Sequence, residues 1–366
     1  TGSAAGFSYN FGQKPFKFPP PDGFQPLNTA NARPVKVISR PDQYVGVTTY
    51  TGNNTVGRKI DIGKNADLIW VKKFNDGENN ILVDTVRGAN NFLISDASDE
   101  VNTSGGPITG LGSTVPNGFI VDNNGYVNAS SSHYICWNWK AGGDKGTFNV
   151  DDVGYASAAA AGLNGGTITP TGASVGTEQG FSIIKYTANL TQGATISHGL
   201  TQKPDFAIFK NMDSNLGTNE VDWGVYHTSI GATKKLELNQ NLAAETHSGP
   251  FNNTEPTSSL FTFGGSPDAF GHSYMTNGPS GDDFIAYIWH NVPGLQKFGK
   301  YSGNQSADGP FIELGFRPAM VWIKGIGSGS TSWRIFDKER NPTNTSTTLY
   351  LRPNVSNGDL DDTRPI

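Results

Sequence analysis

Adjacent acidic residues are the first candidates for catalysis in this chain. Glycoside hydrolysis needs two carboxyl groups about 5 to 9.5 Å apart across a cleft that fits a sugar. Neighbouring side chains in a strand point to opposite faces, so adjacent carboxylates are poorly placed for that chemistry. We interpret the pairs as loop or turn residues, with calcium ligands as the alternative, and we predict no catalytic residue and no enzymatic activity. The pairs are Asp99–Glu100, Asp151–Asp152, Asp282–Asp283 and Asp361–Asp362.

Histidine, serine and cysteine form no recognisable catalytic or metal-binding motif. None of the histidines has the HxH or HExxH spacing of zinc sites, and no serine lies in a G-x-S-x-G context. The single Cys136 excludes an internal disulfide framework and a cysteine-based zinc site, and we expect it to be buried and unreactive. We therefore predict no metal and no cofactor. The histidines are His133, His198, His227, His247, His272 and His290.

Three residues are candidates for recognising a ligand rather than transforming one. Asp84 lies three residues before Arg87, and Asp337 and Arg340 repeat that spacing. Such a pair either fixes a turn through a local ion pair or contacts a carbohydrate. Trp139 belongs to a predicted strand, and an exposed tryptophan can stack on a sugar ring. Asp84, Arg87 and Trp139 are therefore the candidate contacts with a carbohydrate or receptor.

Composition and charge restrict the class of protein. Charged residues make up 16% of the 366 residues, against roughly 25% in an average globular protein. The 46 glycines and 21 prolines argue against helix bundles and coiled coils. The net charge of −5 weakens the case for a nucleic-acid partner, which needs a basic face. No apolar stretch approaches the roughly 18 residues of a membrane span, so membrane insertion is not predicted either.

Three segments of the chain carry the same succession of residues. Each begins with a turn that starts at a tyrosine (Tyr50, Tyr186 or Tyr301) and continues to an apolar strand that ends in lysine. Bulky apolar residues occupy both parities of these strands, which predicts burial on both faces. We interpret the terminal lysine as an edge charge where the strand leaves the core. The spacing between segments is that of whole domains rather than solenoid turns. The strands cover 68–72, 206–210 and 320–324.

Aromatic strands at 134–139 and 284–289 close the first two segments, and the third has no such strand before Ile366. We expect its missing strands to come from chain beyond that residue or from a partner.

The predicted fold class is all-β, with tandem β-sandwich domains of jelly-roll or concanavalin-like type in series. The predicted boundaries are 1–35 for the end of an upstream lectin-like β domain and linker, 36–143 for the first repeat, 144–180 for a Gly/Ala/Thr-rich connector with a helical turn at 156–163, 181–294 for the second repeat, and 295–366 for an incomplete third repeat.

Two groups of motifs resemble known families. The N-terminal Asn10-Phe-Gly-Gln-Lys-Pro-Phe16 resembles the C-terminal end of SPRY or concanavalin-like lectin modules in phage structural proteins. Most of residues 40–350 resembles a repeated domain of uncharacterised function in large virion proteins of marine phages, including cyanophages. The motifs that carry this second resemblance are Tyr50-Thr-Gly-Asn53, Asp67-Leu-Ile-Trp-Val-Lys72, Asp84-Thr-Val-Arg-Gly88, Asn117-Gly-Phe119 and Cys136-Trp-Asn-Trp-Lys-Ala-Gly-Gly143.

The resemblance implies a structural protein of the phage virion, as a tail-fibre or tail-associated adhesion component. It implies contacts with other virion proteins, a host-surface glycan as the target, and a homotrimer by analogy with phage fibres. It supplies no catalytic motif. Two alternatives stay open: a head- or tail-decorating structural protein that never contacts the receptor, and a protein that binds or depolymerises cell-surface polysaccharide.

Overall fold

Strands dominate the fold, as the glycine, proline and aromatic content indicates. The computed structural model describes residues 37–213, 221–265, 274–306, 308–327, 329–343 and 348–362. The predicted lectin-like end at 1–35 lies outside these residues. Within the described ranges the chain is all-β, with several sheets, one four-residue helix and two short 3-10 turns at Pro41–Gln43 and Gly112–Thr114. We refer to 36–143, 181–294 and 295–366 as the first, second and third segments.

The first segment forms a five-stranded antiparallel sheet with the order β1-β8-β3-β4-β5. Leu68 in β3 lies opposite Trp139 on one side and Asp84 on the other, so β3 is a central strand. A smaller sheet has the order β2-β7-β6. The strands are β1 (Val45–Thr51), β2 (Arg58–Asp61), β3 (Leu68–Lys73), β4 (Ile81–Asp84), β5 (Leu93–Ile94), β6 (Ile108–Gly110), β7 (Gly118–Val121) and β8 (His133–Trp139).

The two sheets of the first segment enclose a core of their own. Ile69 and Val71 of β3 pack in one cluster with Ile60 and Phe119 of the smaller sheet. The other face of β3 is also buried, which confirms the burial on both faces predicted for this strand. Cys136 lies inside the same cluster and is fully buried, as expected.

The second segment and the preceding stretch form a nine-stranded sheet with the order β10-β9-β11-β12-β19-β14-β15-β16-β17. The predicted connector 144–180 therefore contributes three strands to a sheet. Its residues 156–163 form hydrogen-bonded turns rather than a helix. The elements are β9 (Phe148–Val150), β10 (Val153–Tyr155), β11 (Gly172–Gly176), β12 (Phe181–Thr187), β13 (Thr195–Ser197), β14 (Phe206–Asn211), β15 (Gly224–His227), β16 (Lys234–Glu237), β17 (Glu245–Thr246), β18 (Leu260–Thr262), α1 (Tyr274–Asn277) and β19 (Asp283–Trp289).

One face of this sheet is covered by the two-stranded sheet β13-β18. Ala207 and Phe209 of β14 pack in one cluster with Ile196 and Phe261 of the covering strands. The arrangement matches the first segment, where β3 is covered by β2 and its neighbours. In both segments the central strand thus has one face in a core that it shares with its covering sheet.

The third segment has fewer strands within the described residues. β20 pairs with β21 and β22 with β23, and a bridge between Ile335 and Leu351 connects the two hairpins. The register of β20 and β21, with Met320 opposite Asp337, matches that of Leu68 opposite Asp84 and Phe206 opposite His227. The strands are β20 (Met320–Ile323), β21 (Arg334–Asp337), β22 (Thr348–Tyr350) and β23 (Leu360–Asp362).

The sheet faces of β3, β14 and β20 that lie opposite the covering sheets meet in one aromatic core. Trp70 lies 5.1 Å from Trp322 and 5.9 Å from Trp137 between ring centroids, and Trp139 lies 6.2 Å from Trp289. Phe206 packs against Trp322 in the same cluster. Residues from all three segments therefore share one core, and the chain from Ile38 onward forms a single compact unit.

Candidate functional site

Asp84 and Arg87, two of the candidate recognition residues, form a buried ion pair. Nε of Arg87 donates to Oδ2 of Asp84 at 2.6 Å, and the two side chains are 2% and 0% exposed. The other carboxylate oxygen, Oδ1, accepts the backbone amides of Val86 and Arg87, so the aspartate also fixes the turn after β4. The predicted turn-fixing pair is thus present in the structure.

The same pair connects the first segment to the second. The hydroxyl of Tyr287, in β19, donates to Asp84 Oδ2 at 2.7 Å, and Arg87 Nη2 donates to that hydroxyl oxygen at 3.0 Å. Burial, together with the Asp84 charge beside it, raises the pKa of Tyr287 well above its usual value, while Arg87 opposes the shift. The phenol therefore stays a neutral donor to the carboxylate. The sequence contains no local signal for this contact.

The second pair, Asp337 and Arg340, repeats the geometry of the first. Arg340 Nε donates to Asp337 Oδ2 at 2.8 Å, and both side chains are buried. A further ion pair links Arg340 to Asp359. In the second segment His227 occupies the aspartate position, and its Nδ1 accepts the amide of Ser229 instead.

Trp139, the third candidate recognition residue, is only 5% exposed. It packs against Trp289 and Trp322 in the shared core. A glycan in solution cannot stack on a ring in this position or contact the buried Asp84–Arg87 pair. The burial of all three side chains argues against carbohydrate contact at these positions.

The lysines that end the apolar strands are not edge charges. That interpretation is wrong for Lys72 and Lys210, both of which are fully buried, and Lys324 is partly buried. Each ammonium group donates to one carbonyl of its own segment and to one of another segment, so its N–H groups have hydrogen-bond acceptors inside the protein. The acceptors are Glu78 and Ser356 for Lys72, Val221 and Ser98 for Lys210, and Thr331 and Asn241 for Lys324.

Backbone hydrogen bonds at matching positions close the three segments into a ring. Each bond joins one segment to the next, and the last joins the third segment back to the first. Each acceptor lies two residues after one of the three lysines. The bonds run from the amide of Val101 to the carbonyl of Met212 at 2.9 Å, from Ala244 to Ile326 at 3.4 Å, and from Asp359 to Phe74 at 2.6 Å.

Side chains one residue before β4, β15 and β21 form hydrogen bonds between the same pairs of segments. Trp223 donates its indole N–H to the carbonyls of Ile94 and Ala97, at 3.1 and 2.9 Å. Trp333 donates to Glu237 at 2.9 Å. Asn80 takes this place in the first segment and donates to Val355 at 3.1 Å. The donors follow the same cyclic order as the lysines.

In two of the segments, an aspartate just before the central strand accepts hydrogen bonds from the chain that follows the closing strand. Asp67 accepts the amides of Ala141 and Gly143, just after β8. Burial raises the pKa of Asp67 to about 6, against the opposing effects of Lys140 and these hydrogen bonds. Asp205 likewise accepts the amide of Asn291 after β19 at 2.7 Å. The sequence signal for this role was the aspartate that precedes the central strand in two segments.

Residues of the adjacent acidic pairs form hydrogen bonds and ion pairs with neighbouring side chains and backbone amides of the same chain. Asp151 accepts from the amide and hydroxyl of Thr177, Asp152 pairs with Lys140, and Asp283 pairs with Lys185. His272 lies outside the described residues. Over the part of the chain that the structure describes, no three His, Cys, Asp or Glu side chains are grouped to hold a metal ion. No helix in that part is long and apolar enough to cross a membrane.

Comparisons with known proteins place the chain in a family whose function is not assigned. No curated protein and no solved structure matches the chain. The model of a domain of unknown function, DUF7483, matches residues 40–365, a span that takes in all three segments and the ring that they form. The chain therefore belongs to the DUF7483 family.

Proposed function

We propose that this chain is a structural protein of a phage virion and belongs to a tail fibre or a tail-associated adhesion component. The closed ring of three β segments is the observation that carries this proposal. Lysine ammonium groups, side-chain N–H groups of Trp223, Trp333 and Asn80, and backbone amides connect each segment to the next at matching positions. A body fixed in this way resists deformation, because its interior is close-packed and its buried polar groups are paired.

The three segments are, in this proposal, copies of one β-sandwich module. The shared register of β3–β4, β14–β15 and β20–β21 supports it, as do the covering sheets on β3 and β14. In the same proposal, each module has a jelly-roll or concanavalin-like fold. Bodies of this kind follow one another along a longer, homotrimeric fibre, which contacts other virion proteins.

Attachment to a host-surface glycan would use the exposed loops, since the side chains of Asp84, Arg87 and Trp139 are buried. A trimeric fibre would present each loop several times, and multivalency converts weak contacts into firm attachment. The second candidate is a head- or tail-decorating protein without receptor contact. The burial of Asp84, Arg87 and Trp139 favours it, because it needs no ligand-binding residue.

Two measurements test the proposal. Gold-labelled antibodies against the purified chain should mark phage particles, and labelling of the fibre or tail rather than the head would separate the first candidate from the second. The purified chain should bind host cells or a host-derived glycan and compete with phage adsorption. Absence of the chain from purified particles would refute both candidates, whereas release of sugar from host polysaccharide would favour a depolymerase.

A further inference from the structure

His198 lies where the covering sheet β13–β18 meets the rest of the second segment. It directly follows β13, and it is fully buried. Its backbone amide donates to the carbonyl of Ser259 at 3.2 Å, which extends the pairing of the two covering strands by one residue. Its ring lies edge-on to that of Phe261 in β18, with 6.0 Å between the centroids. A titratable side chain is thus built into the covering sheet at its contact with the core.

Both ring nitrogens of His198 have partners, and these partners fix its protonation state. Nδ1 accepts the backbone amide of Leu200 at 3.1 Å, so Nδ1 carries no proton. Nε2 lies 3.3 Å from the carbonyl oxygen of Thr257, so Nε2 carries the proton and donates it. The neutral imidazole therefore connects the chain after β13 to the turn before β18. A proton added at Nδ1 would set two N–H groups against each other and break the hydrogen bond to Leu200.

The surroundings of His198 supply no counter-charge for a protonated imidazole. His290, which follows β19, is its titratable neighbour, and a charge on either imidazole disfavours a charge on the other. Lys203 and Glu255, on the flanking loops, pair with each other at 2.7 Å. Burial lowers the pKa of His198 from 6.5 to about 4, although the hydrogen bond to Thr257 opposes the shift. The neighbours on the other elements are uncharged: Phe261 in β18, Thr257 before it, and Leu163 and Val175, which lie close to Gly199.

His290 adds a second obstacle to positive charge in this region. Its Nδ1 lies 2.8 Å from the carbonyl oxygen of Asn291, so Nδ1 carries the proton of the neutral ring. Its Nε2 is buried and has no hydrogen-bond partner within the described residues. A proton added at Nε2 would bury an unpaired N–H group, which costs free energy. The packed second segment therefore holds two neighbouring imidazoles in their neutral forms.

The first segment shows that the fold does not require a histidine at this place. Ile62 holds the matching position, since it directly follows β2 as His198 directly follows β13. The amides of Ile62 and Gly63 donate to the carbonyl of Asn117, the residue before β7, at 2.8 and 3.2 Å. Backbone hydrogen bonds thus connect the corresponding parts of the first covering sheet without a titratable side chain.

We propose that His198 is an acid-sensitive clasp that holds the covering sheet of the second segment closed at neutral pH and lets it open in mild acid. In the open state the imidazole has its ordinary pKa of 6.5, whereas in the closed state it takes up a proton only near pH 4. Opening therefore becomes easier as the pH falls between these values. It would expose the apolar cluster that contains Phe209 and Phe261. The inference does not depend on a phage origin.

Amide hydrogen exchange of the full chain, followed by mass spectrometry, measures the opening directly. The amides of His198 and Phe263 are the reporters, because they bond across the two covering strands. After correction for intrinsic exchange rates, their protection should fall roughly twentyfold from pH 7 to pH 5, because the open state gains a proton that the closed state does not. The amides of Ile62 and Gly63 in the first segment should lose no protection over the same range.

Two variants separate the titration of the imidazole from its packing. His198→Asn keeps a side-chain acceptor for the Leu200 amide but cannot titrate, and His198→Leu places an apolar side chain there, as Ile62 does in the first segment. Protection of the Phe263 amide should then differ by less than about twofold between pH 5 and pH 7 in both variants. His133→Asn is the matched control, because His133 is exposed in β8 of the first segment, and it should keep the wild-type fall.

An NMR titration of the imidazoles tests the clasp without any variant. The ring of His198 should stay neutral, with its proton on Nε2, from pH 7 down to pH 5. Titration of native His198 near pH 6.5 would overturn the proposal, as would equal wild-type protection at pH 5 and pH 7 or a fall that persists in both His198 variants. Simultaneous loss of protection in the first and second segments would also overturn it, because that result would mean global acid unfolding.

Discussion

The ammonium group of Lys72 donates a hydrogen bond to the backbone carbonyl of Ser356, 2.7 Å away and 284 residues later in the chain. Lys210 and Lys324 make the matching connections to Ser98 and Asn241. A lysine at the end of an apolar strand is therefore a tie between segments. Because the ties run in a cycle, loss of one of them should weaken the whole unit rather than release a single segment.

Replacement of Lys72 by methionine should have a pH-dependent effect on stability. Burial lowers the pKa of Lys72 to about 8, from 10.5. Between these values the unfolded chain binds more protons than the folded chain, so the free energy of unfolding rises with pH. Lys72 should contribute about 1–2 kcal/mol of that rise between pH 8 and pH 9.5. Chemical denaturation across this range measures it.

The wild-type slope should be only partly lost in Lys72→Met, since burial also lowers the pKa of Lys64 and Lys324 to about 8. Lys203→Met is the control, because the exposed Lys203 pairs with the exposed Glu255 on the surface of the second segment. It should leave the slope between pH 8 and pH 9.5 unchanged. Identical slopes in wild type and Lys72→Met would show that Lys72 is not a buried cation.

Breaking the ion pair between Asp84 and Arg87 should be costly. Asp84→Asn leaves a buried guanidinium without its counter-charge, and we expect a loss of about 3–5 kcal/mol in the free energy of unfolding. Combining Asp84→Asn with Arg87→Met should cost less than the sum of the single changes, because the double variant leaves no unpaired charge. Thermal or urea denaturation of the three variants measures the coupling.

The exposed pair of Arg40 and Asp42 is the matched control for these three variants. Its side chains are 65% and 62% exposed, and Asp42→Asn should leave the stability nearly unchanged, because water screens an exposed ion pair. Additive effects of the Asp84 and Arg87 changes would contradict the buried pair that the structure shows.

Two buried tryptophans should respond differently to replacement by phenylalanine. Trp223 donates its indole N–H to two carbonyls of the first segment. Trp137 is equally buried, but its N–H has no partner within the described residues. Both changes remove similar volume, so their difference isolates the hydrogen bonds. Trp223→Phe should be more destabilising by about 1–2 kcal/mol, as measured by urea denaturation, and a smaller or reversed difference would contradict this assignment.

The thiol of Cys136 should report global unfolding. Burial raises the pKa of Cys136 to about 12, so the native protein contains almost no thiolate and should not react with an aromatic disulfide reagent at pH 8. One thiol per chain should react in denaturant. The chain with Val56→Cys and Cys136→Ser, which carries an exposed thiol, should react at once without denaturant. Fast reaction of native Cys136 would mean that the core between the two sheets of the first segment opens readily.

The sequence by itself determined the all-β class and the main strands. Continuous apolar patterns located β3, β8, β14, β19 and β20, because a strand covered on both faces needs apolar residues at successive positions. It also indicated the Asp84–Arg87 turn, since both partners lie within one turn of chain. Membership of the DUF7483 family agrees with the extent of these patterns.

Only the tertiary structure decided which surfaces face one another. Lys72, Trp139 and Tyr287 each contact residues of another segment, and their burial depends on packing between strands far apart in sequence. A lysine looks the same in the sequence whether its ammonium meets water or two carbonyls. The ring therefore could not be deduced from local patterns, because closure depends on long-range geometry that no short stretch of residues encodes.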